Sequence, residues 1–398
     1  MQIADLRFLV AEDDEFQRHW LVIMLTNLGA KHIVEAVDGR AALAIFQNKD
    51  QPIDISFIDL NMPGMDGMEL IRHMSKEEHP SSIILASALA PSLVFSVQTM
   101  SKAYGVNLLG AIEKPATPET LLALINLYQS PHAKREPQTI VPAFTLADIQ
   151  LGLKNKEFEP LFQPIVEFAT GQIKGAEAFA RWKHPHHGWV LPAAFIPLLE
   201  KNGEMDALDW LIIEKSIVAC RNWHEQGYPI SVSINLSPSS LSDPDFAEKI
   251  IAYTSLQTLE SKYAVFEVTE LATTTSLPCF LENLVRLRMN GFGLSVDDYG
   301  LGHSSMQELM RIPFSELKID RSFVVGASQN QSLELVLSMS LELCRKLDRH
   351  SVAVGVETRQ DWDLLLKRGC TYAQGYYIAK PMENDALPEW MKEWSEFF

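Results

Sequence analysis

The sequence predicts an α/β protein of two successive units: an open parallel sheet covered on both faces, then a closed α/β barrel. Three observations carry this expectation. Short apolar runs alternate with helical patterns along most of the chain. Polar and acidic residues gather at the ends of those runs, and the carboxyl ends of parallel strands share one edge. Between the two units, the proline-bearing stretch QSPHAKREPQTIVP (129–142) interrupts the periodicity.

In the first unit, Leu6–Ala11, Ile33–Ala36, Ile55–Leu60, Ser82–Ser87 and Asn107–Ile112 read as strands. Phe16–Gly29, Gly39–Gln47, Gly67–Lys76, Pro91–Tyr104 and Thr117–Gln129 read as helices. The expected boundaries are a domain at 1–128, a linker at 129–143 and a second domain at 144–398. The second domain offers strand candidates at Ile173–Trp182, Ile230–Leu236, Tyr263–Val268, Gly293–Asp297, Glu316–Ile319, Ser351–Val356 and Tyr372–Ile378. Helical patterns separate most of them, and the length suits one barrel of about 250 residues.

Composition excludes several functions. The 398-residue chain carries a formal charge of −17, shared by both halves. Broad nucleic-acid binding needs the opposite sign to displace counterions, and no DNA-binding helix-turn-helix remains once both domains are assigned. No apolar run reaches the roughly 18 residues of a membrane span, and the acidic start (Asp5, Glu12, Asp13, Asp14) is unlike a signal peptide. Cys220, Cys279, Cys344 and Cys370 show neither zinc-site nor disulfide spacing, so the expected compartment is the reducing cytoplasm.

Glu12 and Asp13 follow the first strand, Asp59 ends the third, Ser87 the fourth, and Lys114 with Pro115 follows the fifth. Three carboxylates sharing one edge repel unless a divalent cation neutralises them, and oxygen ligands suit Mg²⁺. A lysine and a hydroxyl nearby suit a phosphoryl group carried on Asp59. FLVAEDD, FIDLNMPGMDG, Ser87 and Lys114–Pro115 resemble a response-regulator receiver domain over residues 1 to about 128. The resemblance implies a flavodoxin-like fold, Mg²⁺ on Glu12, Asp13 and Asp59 with the Asn61 carbonyl, and phosphorylation of Asp59 by a sensor histidine kinase. Ala111 stands where such domains often carry a switching aromatic.

The second domain repeats the pattern with Glu177, Glu267, Glu270, Asp297, Asp298 and Asp320, joined by Asn235, Lys318 and Gln374. On a barrel these ends form one mouth. Adjacent Asp297 and Asp298 call for cations, and two metals sharing carboxylates clamp a phosphodiester for attack by water, which Lys318 would position. Trp182, Trp210 and Trp223 read as packing residues, and KHPHHGW, with His184, His186 and His187, as an exposed loop. EAFARW, FIPLLE, INLSP, FEVTE, DDYGLGHSS, LKID and QGYYIAKPM, in this order, resemble the EAL domain, the cyclic di-GMP phosphodiesterase family.

That resemblance implies a TIM-like (β/α)8 barrel whose first strand runs against its neighbours. It implies Mg²⁺ or Mn²⁺ on Glu177, Asn235, Glu267 and Asp297, with Asp297 and Asp298 serving a second ion. Lys318, Glu177 and Asp298 would act in catalysis, with Asp320 beside them. Arg181, Asp320 and Gln374 would hold the dinucleotide, and Glu270 would anchor the loop of Asp297–Asp298. A homo-oligomer, dimer or higher, is implied as well. One departure matters most: the family's Ala-Glu-Gly-Val-Glu reads Ala353-Val354-Gly355-Val356-Glu357, so Val354 replaces a glutamate. Phe179 replaces a leucine, and Leu301 and His303 depart in the loop after the aspartate pair. The expected function is a phosphorylated response regulator whose degenerate EAL domain binds cyclic di-GMP with weak or no hydrolysis. The alternatives are an active phosphodiesterase yielding pGpG and a phosphorylation-controlled scaffold.

Overall fold

Arg7–Ala11 (β1), His32–Ala36 (β2), Ile55–Ile58 (β3), Ser82–Ala86 (β4) and Leu108–Ile112 (β5) form a wholly parallel sheet in the order β2-β1-β3-β4-β5. The computed structural model describes residues 3–48, 52–76, 81–86, 97, 100–101, 104–112, 114, 116–128, 144–270, 278–300 and 306–396. Alternation along each strand sorts its side chains to two cores. Phe8 and Val10 join Phe57, Leu21, Leu25 and Ile125 on one face, while Leu9 and Ala11 join Ile58, Leu70, Ile71 and Met74 on the other. Each large apolar side chain so buried contributes about 1.5–3 kcal/mol relative to exposure. The helices Glu15–Asn27, Gly39–Phe46 and Gly67–Met74 start on Asp14, Asp38 and Asp66, whose carboxylates each accept a backbone N–H at 2.8 Å. The expected helix at Pro91–Tyr104 and the linker at 129–143 fall largely outside the described residues.

The chain divides into two compact units, Met1–Thr139 and Ile140–Phe398. The second is a closed barrel of Phe158–Glu167 (β6), Ile173–His184 (β7), Ser231–Asn235 (β9), Ala264–Thr269 (β10), Gly293–Tyr299 (β11), Glu316–Ile319 (β12), His350–Val354 (β13) and Tyr372–Gln374 (β14). Gly188–Val190 (β8) is a hairpin off β7. From β7 through β14 every barrel neighbour pairs parallel, whereas β6 is antiparallel to both β7 and β14 and closes the ring.

Periodicity alone leaves β6 unassigned because Pro160 and Pro164 interrupt it, and proline is excluded from central ladders. The structure resolves the conflict by phase. Both prolines are in step with Phe162, whose N–H leaves β7 and donates to Met382 O at 2.7 Å, so neither is asked for a bond to β7. The expected strand Tyr372–Ile378 is shorter than the apolar run. At Gly375 the chain turns so tightly against Val356 that a Cβ would lie 2.1 Å from its carbonyl oxygen. Trp182 and Trp223 are buried, and Trp210 is half-buried with its Nε1 donating to Glu214. His184 is half-buried, and His186 and His187 are exposed, in the β7–β8 turn.

Candidate functional site

Both sheets bring acids to the carboxyl ends of their strands around a lysine. In the first unit, β1 delivers Glu12 and Asp13, β3 delivers Asp59, and Lys114 lies just past β5. Lys114 Nζ donates to Glu12 Oε2 and Asp59 Oδ2, each at 2.8 Å, and Asp59 Oδ1 accepts the Asn61 N–H at 3.2 Å. Burial opposes charge on Asp59, but the Lys114 and Asn61 hydrogen bonds outweigh it and hold its pKa below the ordinary value. Burial wins at Glu12, with the Asp59 charge adding to it, and pushes its pKa up to about 7. Lys114 stays charged: burial disfavours its cation, but bonds to the two acids raise its pKa.

Oxygens of Glu12, Asp13 and Asp59 lie within 4.8 Å of one another, and Glu12 Oε1 is buried without a hydrogen-bond partner. An all-oxygen set with an orphaned carboxylate atom fits a hard divalent cation. Ser87 and Pro115 lie outside the described residues. Ala111 is half-buried in β5, opposite Leu85 of β4.

The barrel mouth is built the same way around Lys318. Its Nζ, buried in β12, sits 2.6 Å from both Glu177 Oε2 of β7 and Glu267 Oε2 of β10, and 3.7 Å from Asp297 Oδ2 of β11. Glu177 also accepts from Asn235 Nδ2 at 2.9 Å and Gln374 Nε2 at 2.8 Å. These donors and the lysine charge overcome desolvation and keep Glu177 below the usual carboxylate range. Glu267 goes the other way: burial first, then the Glu177 charge, raise its pKa well above the ordinary value. The Lys318 pKa is raised despite burial, because Asp297, Glu177 and Glu267 surround it.

Glu177, Glu267 and Asp297 again place oxygens within 4.8 Å of one another, and Glu267 Oε1 and Gln374 Oε1 are buried without partners. This set also fits a hard divalent cation. Exposed Asp298 follows in the left-handed region at φ 57°, a conformation that costs roughly 1–3 kcal/mol for residues other than glycine. Burial on one side and the Asp297 and Asp320 charges lift its pKa to about 6. The backbone is pinned two residues later, where Glu270 Oε2 accepts the Gly300 N–H at 2.7 Å. Asp320 caps the short helix Arg321–Val324 through the Ser322 N–H.

Arg181 and Phe179 lie further along β7, the guanidinium 5.6 Å from the Phe179 ring centre. Phe179 borders a cavity of about 630 Å³ that also reaches Asn235, Leu208 and Asp209. Val354 is the last residue of β13, half-exposed and in register with Gln374. Leu301 and His303 lie outside the described residues.

Two polar residues escaped the sequence reading. Gln163 accepts from Gln374 Nε2 at 3.2 Å and donates to Ala379 O at 2.9 Å, steadying the Gln374 amide. Its signal was hidden in the proline-broken strand. Asp209, buried in the helix Met205–Glu225, accepts from the Ser237 N–H at 2.9 Å and Ser240 Oγ at 2.7 Å. A lone acid in a helical pattern reads as solvated, so nothing marked it.

The response regulator receiver domain model matches residues 8–126, and the EAL domain model matches residues 146–381. The chain belongs to the EAL domain family. Its EAL domain follows a receiver domain. The chain is 37% identical over 379 residues to cyclic di-GMP phosphodiesterase RocR of Pseudomonas aeruginosa, covering 95% of this chain and 96% of that protein. It is 31% identical over 252 residues to cyclic di-GMP phosphodiesterase PA2567 of the same organism, covering 63% of this chain and 43% of that one. The solved PaMucR phosphodiesterase in complex with c-di-GMP matches with a TM-score of 0.58 at 31% identity, over 61% of this chain and 98% of that chain. The c-di-GMP-bound FimX EAL domain of Pseudomonas aeruginosa shares the fold, with a TM-score of 0.55 at 23% identity over 60% of this chain and 96% of that chain. No described helix of this receiver–EAL chain is long and apolar enough to cross a membrane.

Proposed function

We infer that this chain is a cyclic di-GMP response regulator, phosphorylated on Asp59 by a sensor histidine kinase, whose EAL domain binds the dinucleotide and hydrolyses it weakly or not at all. Val354 carries the reading. A valine at the mouth neither ligates a cation nor accepts a proton, and loss of a positioned general base alone costs about 10² to 10⁴ in rate.

Binding is supported by what remains. Arg181 and Gln374 are the groups we assign to the dinucleotide, with Asp320 beside them, and the cavity beside Phe179 offers an apolar wall. Glu177, Asn235, Glu267 and Asp297 would hold one Mg²⁺ or Mn²⁺, with Asp297 and Asp298 serving a second. A bound cation there supplies charge neutralisation and an acidified water. Lys318 orders Glu177 and Glu267, Gln374 braces Glu177, and Glu270 holds the Asp297–Asp298 loop. This retained set also favours a second reading, an active phosphodiesterase with reduced rate, and it weighs against a scaffold without ligand.

The test pairs a cyclic di-GMP binding titration with chromatography for pGpG, in Mg²⁺ and in Mn²⁺. We expect saturable binding with little product. Val354→Glu should raise hydrolysis at least about tenfold if the missing carboxylate limits the rate. Full turnover by the unmodified protein, abolished by Glu177→Ala, would select the enzyme reading instead.

A further inference from the structure

Inside the EAL barrel, three buried oxygens without hydrogen-bond partners among the described residues fall on three adjacent strands. Glu267 of β10 is in register with Ser295 of β11, and Ser295 is in register with Glu316 of β12. Alternation puts Ser295 on the inward face of β11 with Asp297, and Glu316 on the inward face of β12 with Lys318. The orphaned atoms are Glu267 Oε1, Ser295 Oγ and Glu316 Oε1. Barrel interiors are ordinarily packed with branched apolar side chains, so a row of unpaired polar atoms there calls for a role.

Glu267 Oε2 accepts from Lys318 at 2.6 Å, which leaves Oε1 for a cation and for whatever supports it from behind. A carboxylate oxygen has two lone pairs and can meet both. A cation requires Glu267 ionised, and an ionised carboxylate only accepts hydrogen bonds. The donor must therefore come from its neighbours. Ser295 is fully buried on the next strand, and paired strands lie about 4.7–4.9 Å apart.

The Ser295 hydroxyl also approaches the Glu316 carboxyl, although neither it nor Glu316 Oε1 completes a well-formed hydrogen bond. Burial raises the Glu316 pKa by more than the Lys318 charge lowers it, which shifts this acid toward the form that carries a proton. A hydroxyl gives one hydrogen bond and accepts others. Donors and acceptors can then run in one direction: Glu316 O–H to Ser295 Oγ, and Ser295 O–H to Glu267 Oε1. All three orphaned atoms gain a partner.

We propose that Ser295 and Glu316 are positioning residues for Glu267, forming a hydrogen-bonded chain that fixes its carboxylate for a divalent cation at the barrel mouth. The inference rests on the cation reading of Glu177, Glu267 and Asp297. Neither Ser295 nor Glu316 belongs to the group of oxygens that would meet the cation. Groups that hydrogen-bond a ligating carboxylate govern metal affinity by about 10- to 100-fold.

Calorimetric titration of the whole chain with Mn²⁺ tests this, in an Asp13→Asn, Asp59→Asn background that silences the receiver site. We expect Ser295→Ala and Glu316→Met each to weaken Mn²⁺ binding about tenfold or more. Glu316→Gln keeps an N–H donor and should hold most of the parent's affinity. In the double variant Ser295→Ala, Glu316→Met the losses should not add, because either change alone breaks the chain. A residue that merely fills space is replaced as well by methionine as by glutamine, so equal affinities of those two variants would overturn the proposal. Additive losses, or affinity unchanged by Ser295→Ala, would overturn it too. If the parent binds no Mn²⁺, the cation reading falls and the proposal with it, whereas binding indifferent to the variants overturns the chain alone.

Discussion

Lys318 and Lys114 perform one physical task at two sites: each holds two carboxylates together through charge-assisted hydrogen bonds of 2.6–2.8 Å. Removing Lys318 leaves Glu177 with its two amide donors and takes from Glu267 the hydrogen bond to its Oε2. Breaking a buried charged pair of this kind costs about 3–5 kcal/mol. Lys318→Met should therefore lower Tm sharply in chelator, and added Mn²⁺ should restore more stability to the variant than to the parent. Equal Mn²⁺ shifts in thermal melts would refute that exchange of cations.

Asp209 supplies a pH signature. Burial raises its pKa to about 6, against an ordinary value of 3.8, so the folded state binds the proton more tightly than the unfolded chain. Its contribution to stability is full below about pH 4 and is lost as pH rises through about 6, by up to about 3 kcal/mol. Asp209→Asn should flatten that part of the profile in melts at stepped pH. Its serine donors, Ser237 and Ser240, were invisible in the sequence because they lie on a different segment of the fold.

At the scale of elements, the parallel strands were legible wherever an apolar run ended on an acid. Glu177, Glu267 and Asp297 lie at or beside the last residues of their parallel pairings, and their grouping follows from that pairing alone. β6 was not legible by periodicity, since the phase that spares Pro160 and Pro164 depends on which neighbour each residue faces. Nor was the early end of β14, where Gly375 packs on the Val356 backbone. Gly375→Ala would push a methyl group into that backbone, and overpacking of this kind costs about 1–3 kcal/mol. Urea unfolding should show the loss, and Gln374, one residue earlier, should lose its grip on Glu177, weakening dinucleotide affinity with it.

For the whole molecule, the receiver domain gives the expected handle on the EAL domain. Treatment with a small phosphodonor and Mg²⁺ should phosphorylate Asp59, and Asp59→Asn should block it. Cyclic di-GMP affinity measured before and after treatment should differ by at least about threefold, the scale of a modest coupling energy. An affinity indifferent to phosphodonor would remove the receiver from control of the ligand.

The antiparallel β6 also carries a consequence for how this protein is made. Phe162 exchanges two backbone hydrogen bonds with Met382, and β14 seals the same strand at Glu167 and Val166. The first barrel strand to emerge from the ribosome thus waits for almost the last. Until residue 382 is free, one side of β6 stands as an open edge, the feature that templates aggregation in partly folded chains. Pairing across so long a stretch of sequence is slow. The EAL barrel is therefore expected to fold after synthesis rather than during it, and any truncation before Met382 should yield insoluble chain.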